Sequence, residues 1–307
     1  MRSAFINTLV DLAETDERIF LLTGDLGFSF LEIFQEKFPR RFFNMGVAEQ
    51  DMIGAAAGLA LSGKIVFVYS IVPFITLRCL EQIRNDLCFQ NLNVRLVGVG
   101  GGVTYGSAGS THYGLEDFGV LRSLPNMTIV APGDVKETEG AVRASISHQG
   151  PIYLRIGRAK KVIHSDFFFK IGKGIVLKEG KDLTIIAAGS MLSLAFEVSQ
   201  ALEKNGLSVF LISMPTIKPL DEKIILKAAR KTKAIFTVEE HSIIGGLGTA
   251  VGEVLCSSNY KIFFEKFGFP DELFKSVGSQ EYLLKKNKLT AEDLVTHILK
   301  LRKEKII

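Results

Sequence analysis

Five short runs rich in Val and Ile, at 19–23, 65–69, 94–99, 127–130 and 152–156, are apolar at consecutive rather than alternate positions. A strand of that kind has no face to give to water, so it must be covered on both sides. Stretches that read as helices lie between the runs, at 52–61, 77–87 and 135–147. Buried strands alternating with helices predict the α/β class and a parallel sheet between helix layers. A chain of 307 residues is too long for one ordinary core. The pattern lapses at 158–173, where charges, glycines and three adjacent phenylalanines (Phe167, Phe168, Phe169) show no sustained period. It resumes with strands at 182–188, 208–212 and 234–238 and helices at 190–205, 221–231, 246–257 and 291–301. Two parallel-sheet domains are expected, 1–160 and 176–307, joined by a linker at 161–175.

Composition excludes several classes. With 47% hydrophobic and 23% charged residues, the chain is neither disordered nor of low complexity. The net charge of +4 is small. Acids dilute the lysines near the C-terminus (Lys285, Lys286, Lys288, Lys300, Lys303, Lys305), which reads as a solvated face and not a nucleic-acid stripe. No run reaches the roughly eighteen apolar residues of a membrane helix. Acidic residues interrupt the N-terminus, unlike a signal peptide. Cys79, Cys88 and Cys256 have no metal-ligand spacing and are expected as small buried groups in a reducing, cytoplasmic location.

Ligands of open parallel sheets bind at the carboxyl ends of the strands, so the loops at 24–29, 46–50, 100–113 and 239–248 are where chemistry is expected. Asp25 directly follows the first run and suits a turn. Glu49 lies near the start of a helix dense in Ala and Gly, where the helix dipole favours a carboxylate. A carboxyl group fixed near a domain interface also suits general acid–base work. Residues 98–114 hold seven glycines in seventeen positions, with His112 near the end, and match neither the dinucleotide nor the P-loop pattern. Arg155 and Arg158, three apart around a strand end, suit surface ion pairing or anion binding. Glu239, Glu240 and His241 follow a strand. Adjacent acids cannot share one strand face, so these read as a turn and interface element and not as a carboxylate pair.

Taken in order, NMGVAEQDMIGAAAGLALSGK, the Thr111–His112 pair within YGSAGSTHYGLEDFGVLRSLPNM, and VEEHSIIGGLG resemble the transketolase family. The similarity runs over nearly the whole chain and corresponds to that family's pyrimidine-binding and C-terminal domains. The 1-deoxyxylulose-5-phosphate synthases and the beta subunits of pyruvate dehydrogenase share parts of the layout. The resemblance implies thiamine diphosphate as cofactor, with Mg2+ or another divalent metal. It implies that Glu49 hydrogen-bonds the aminopyrimidine ring, that Phe74 stacks on it, and that Asp25 and Leu26 contact the cofactor between subunits. It implies that His112 acts at the reacting carbon beside Glu49, and that Ser29 and Arg158 hold a sugar phosphate. No metal ligand is implied in this chain.

The same resemblance implies a missing half. The family binds the diphosphate and its metal in an N-terminal domain through a G-D-G motif and a downstream Asn, an arrangement this sequence does not supply. The chain begins at the expected start of the pyrimidine domain, so a split, hetero-oligomeric enzyme is expected. A separate N-terminal transketolase subunit would be the partner, this chain would form a dimer core, and a two-carbon ketol unit would move between small sugars. Two departures fall at the substrate. Ala108 stands where the family has Asp in D-G-x-T-H, and Gly100 where it has a histidine. A non-standard sugar is therefore expected. Two readings stay open: a beta subunit of a 2-oxo acid dehydrogenase or deoxyxylulose-phosphate synthase type acting on pyruvate, and a non-catalytic regulatory paralogue, against which Glu49 and His112 stand.

Overall fold

The computed structural model describes residues 1–158, 162–163, 167–272 and 274–307. Along them run the strands β1 (Ile19–Thr23), β2 (Phe42–Asn44), β3 (Ile65–Ile71), β4 (Val94–Val99), β5 (Thr128–Val130), β6 (Ile152–Ile156), β7 (Ile175–Lys178), β8 (Leu183–Ala187), β9 (Val209–Ser213), β10 (Thr216–Lys218), β11 (Ala234–Ser242) and β12 (Phe263–Phe269). One sheet has the order β10-β5-β6-β4-β3-β1-β2 and the other β12-β11-β8-β9-β7.

β3 illustrates why consecutive apolar residues are needed. Val66 and Val68 enter one core with Met52 and Ala56 of the helix Glu49–Leu61. Phe67 and Tyr69 enter a second core, on the other face, with Phe5 and Leu9 of the helix Arg2–Thr15. Each large apolar side chain buried this way contributes about 1.5–3 kcal/mol.

The sheets depart from the all-parallel expectation at two joints, since β10 pairs with β5 and β7 with β9 antiparallel. Both β10 and β7 are short edge strands, which join a sheet without a helical crossover. β10 comes from the second half of the sequence, after β9, and so completes the first sheet. Neither strand was signalled by the apolar pattern, and nor were β2, β12 or the helix Arg2–Thr15. The helix expected at 77–87 is instead a turn at 76–79, a short α segment Leu80–Gln82 and a π-helical segment Ile83–Cys88. Cys256 is exposed, unlike Cys79 and Cys88.

Two further expectations are corrected by burial. Glu239, Glu240 and His241 form no turn, because β11 continues through Ser242. The two acids point to opposite faces and each finds donors there. Glu239 accepts from the N–H groups of Leu247 and Gly248, both at 2.7 Å, and so caps the helix Leu247–Cys256. Glu240 accepts from Val103 N–H at 2.9 Å, the Ser190 hydroxyl at 2.7 Å and the Gln280 amide at 2.9 Å. Arg155 is neither a surface ion-pairing group nor an anion ligand. It is buried, pairs with Asp117 at 3.0 Å and donates to the carbonyls of Gly114 and Glu240.

These groups tie the two sheets together. Glu137, on the helix Val135–Ile146, adds a second tie by accepting from Gly133 N–H and from the Ser213 hydroxyl at the end of β9, both at 2.6 Å. Burial pushes Glu137 up to about 7, and raises Glu239 and Glu240 as well.

Candidate functional site

The site is assembled at the carboxyl ends of β1, β3 and β4. Gly24 follows β1, and its N–H reaches the Tyr69 carbonyl of β3 at 3.3 Å. Asp25 comes next, with φ +57°, and is exposed. Its N–H donates to the Asn44 side-chain oxygen at 3.0 Å, and its carboxylate accepts from the Asn44 amide at 2.9 Å. Asp25 is thus the turn residue its position suggested, pinned to the end of β2. Leu26 is half-buried, and its carbonyl accepts from the Thr23 hydroxyl.

Glu49 opens the helix Glu49–Leu61 and is only 1% exposed. A carboxylate at that depth must be paired or hydrogen-bonded. Ser70, near the end of β3, donates to its Oε1 at 3.0 Å, and Arg78 donates to its Oε2 at 2.6 Å. The Arg78 side chain is 41% exposed, so one end of this ion pair is dry and the other wet. The same guanidinium lies over the Phe74 ring, 4.3 Å from its centroid. Phe74 meets the imidazole of His112 edge-on, with centroids 5.1 Å apart. His112 Nδ1 and the Thr111 hydroxyl are 3.0 Å apart, the donor being set by the ring tautomer.

Glu49, Arg78, Phe74 and His112 therefore form one continuous line of contacts. Three of the four were expected from sequence, and Arg78 was not. No period in the sequence marks it, because it lies in the turn at 76–79 where the expected helix is broken. Ser29 and Arg158 fall outside this line. Ser29 is exposed at φ +69°, with its N–H held by Glu32, and Arg158 is exposed just past β6. Cys79, next to Arg78, offers no nucleophile, because burial, with the Glu49 charge adding, pushes its thiol up to about 12.

Gly100 follows β4 with φ +77°, and the Tyr105 ring lies directly against its Cα, where a Cβ would stand. Ala108 is exposed in a short 3-10 turn. The first departure from the expected substrate pattern is thus filled by a tyrosine, and the second is open.

A carboxyl group, an aromatic face and a residue without Cβ beside the carboxyl suit the aminopyrimidine end of a thiamine cofactor. A Cβ at Gly24 would stand 3.2 Å from Glu49 Oε1. Among the described residues no group of three His, Cys, Asp or Glu could hold a metal ion.

A model of the transketolase pyrimidine-binding domain matches residues 1–161, and one of the transketolase C-terminal domain matches residues 172–294. A putative transketolase C-terminal section of Methanocaldococcus jannaschii is 40% identical over 304 residues, spanning 97% of this chain and 95% of its own length. A subunit of the apulose-4-phosphate transketolase of Phocaeicola vulgatus is 42% identical over 275 residues, 88% of each chain. A solved split-gene transketolase, described as an inactive beta4 tetramer, superposes with a TM-score of 0.87 at 39% identity, over 97% of this chain and 96% of that one. The chain belongs to the transketolase family. Membership implies thiamine diphosphate as the cofactor.

Proposed function

We propose that this chain is the C-terminal subunit of a split, thiamine diphosphate-dependent transferase that moves a two-carbon ketol unit between sugars. The observation that carries this reading is the unbroken line Glu49–Arg78–Phe74–His112 at the strand ends. Two of the similar proteins are named as a subunit or a section of a transketolase, and the solved one is described as split-gene and inactive in its beta4 form.

When bound, the cofactor supplies a carbon nucleophile and an electron sink. Glu49 would hydrogen-bond the aminopyrimidine ring and serve as the acid–base group that activates it. Phe74 stacks on that ring, and Asp25 and Leu26 contact the cofactor from the neighbouring subunit. His112 handles the oxygen at the reacting carbon. Ser29 and Arg158 hold the anionic end of the sugar. An N-terminal partner brings the diphosphate site and Mg2+. Residues 1–160 serve as the pyrimidine domain, 161–175 as linker and 176–307 as C-terminal domain, in a cytoplasmic hetero-oligomer. Among the described residues no helix is long and apolar enough to cross a membrane.

Self-association through the helix Glu49–Leu61 fits its outer face, where Cβ atoms at Gly54 and Gly58 would meet nothing within 4 Å. The sugar is non-standard, since Gly100 and Ala108 remove two groups that would read an ordinary phosphorylated ketose, and one similar protein is named for apulose 4-phosphate.

The test is reconstitution with a chain carrying the diphosphate-binding domain, thiamine diphosphate and Mg2+, followed by assay with ketoses and with pyruvate. Ketol transfer between sugars is expected. Decarboxylation of pyruvate without ketol transfer would overturn the reading in favour of a 2-oxo acid enzyme.

A further inference from the structure

Arg78 holds at once both groups that an aminopyrimidine would use. Its guanidinium donates to Glu49 Oε2 at 2.6 Å and covers the Phe74 ring at 4.3 Å. A guanidinium is planar, cationic and edged with N–H donors, so it matches a protonated aminopyrimidine in shape, charge and hydrogen bonding. Glu49 is sealed on its other side, where Ser70 takes Oε1 and Gly24 closes over it. The open approach to this carboxylate is therefore the one Arg78 occupies.

The surroundings allow Arg78 to leave. Its backbone lies in the turn at 76–79 between two short helical segments and not inside a regular helix. Its side chain is 41% exposed, so water can take over its hydrogen bonds. Glu49 cannot leave, because it is buried at a helix start.

We infer that Arg78 is a placeholder for the aminopyrimidine, a positioning residue that sets the threshold for cofactor binding by competing for Glu49 and Phe74. The inference rests on the cofactor reading given above. In the bound state the guanidinium gives up the face of Phe74 and yields Glu49 Oε2 to the ring. A site whose binding-competent form is a fraction of the population shows an affinity reduced by that fraction. Emptying the site of its own cation therefore strengthens binding, the opposite of what losing a merely structural residue or a direct cofactor ligand would do.

The experiment is calorimetric titration of thiamine into the full chain, as wild type, Arg78→Gln and Arg78→Lys. Glutamine still donates to Glu49 but lacks the charge and the planar fork. Lysine keeps the charge but cannot lie flat on Phe74. Thiamine is expected to bind R78Q about tenfold or more tightly than wild type, with R78K between them. Equal or weaker binding by R78Q overturns the placeholder role. Should R78Q fold poorly, R78K carries the same comparison, and an unchanged affinity there is equally decisive. Wild-type binding without a gain in the variants rejects the competition alone, whereas no uptake of thiamine diphosphate by any of the three, even after reconstitution with a chain carrying the diphosphate-binding domain and Mg2+, rejects the cofactor reading with it.

Discussion

Glu240 on β11 accepts a hydrogen bond from the backbone N–H of Val103, 137 positions earlier, at 2.9 Å. Val103 belongs to the glycine-rich loop that carries His112, and Gly102 next to it has no room for a Cβ because Glu240 is in the way. The buried acid of one domain thus shapes the loop of the other.

Glu240→Ala would leave Val103 N–H, Ser190 and Gln280 without their acceptor in a buried place. A loss of about 3 kcal/mol is expected by urea denaturation, with faster hydrogen exchange at the Val103 amide. Glu240→Gln keeps one acceptor oxygen and should fall between. Unchanged exchange at Val103 in the alanine variant would show that the loop is fixed by other contacts.

Glu137 gives a pH signature. Burial, with the Asp134 charge adding, holds its folded carboxyl at about 7, against an ordinary value near 4.5. Between those values the folded state binds more protons than the unfolded one, so stability falls as pH rises through the window, by roughly 3 kcal/mol in total. Glu137→Gln keeps an acceptor for Gly133 N–H, and its amide N–H can donate to the Ser213 hydroxyl in place of the bond that Ser213 donates to Glu137. The variant should be more stable than wild type at pH 8 and lose that advantage by pH 5. A difference that does not vary with pH would mean Glu137 does not titrate in this range.

Glu49→Gln keeps hydrogen bonds to Ser70 and Arg78 while removing the titratable proton. The reconstituted enzyme should lose about 10²-fold or more in kcat/KM, with little change in melting temperature, because Arg78 is half in water. Retention of most activity would remove Glu49 from the acid–base role.

Gly100→His cannot restore a histidine in the expected place. The Tyr105 ring occupies the position of its Cβ, and φ is +77°. The single variant should melt well below wild type, and Gly100→His with Tyr105→Gly should recover part of the difference. Equal stability of single variant and wild type would show that Tyr105 moves aside freely.

The strand–helix alternation was legible because parallel strands covered on both faces are apolar at most consecutive positions, as β3 and β4 are apart from Ser70 and Arg95. The antiparallel edge strands were not, since three or four residues such as Thr216–Lys218 are too short for any period. Glu49, Phe74 and His112 could be read through the family resemblance, and the structure places them in one line. Arg78 stayed hidden because a single arginine in a broken helix has no pattern of its own. The burial of Arg155 stayed hidden for the opposite reason: its partners Gly114 and Asp117 lie some forty residues before it and Glu240 lies 85 residues after it, in two distant segments.

β10 also sets a schedule for synthesis. The first sheet has all its parallel strands once residue 156 has left the ribosome, but β5 remains an open edge until residues 216–218 arrive to pair with it. At about 5–20 residues per second, those sixty or so residues take roughly 3–12 s to emerge. For that interval the nascent chain displays a bare strand of Thr128–Val130, the kind of edge that recruits other chains. A first domain made on its own would never leave that interval.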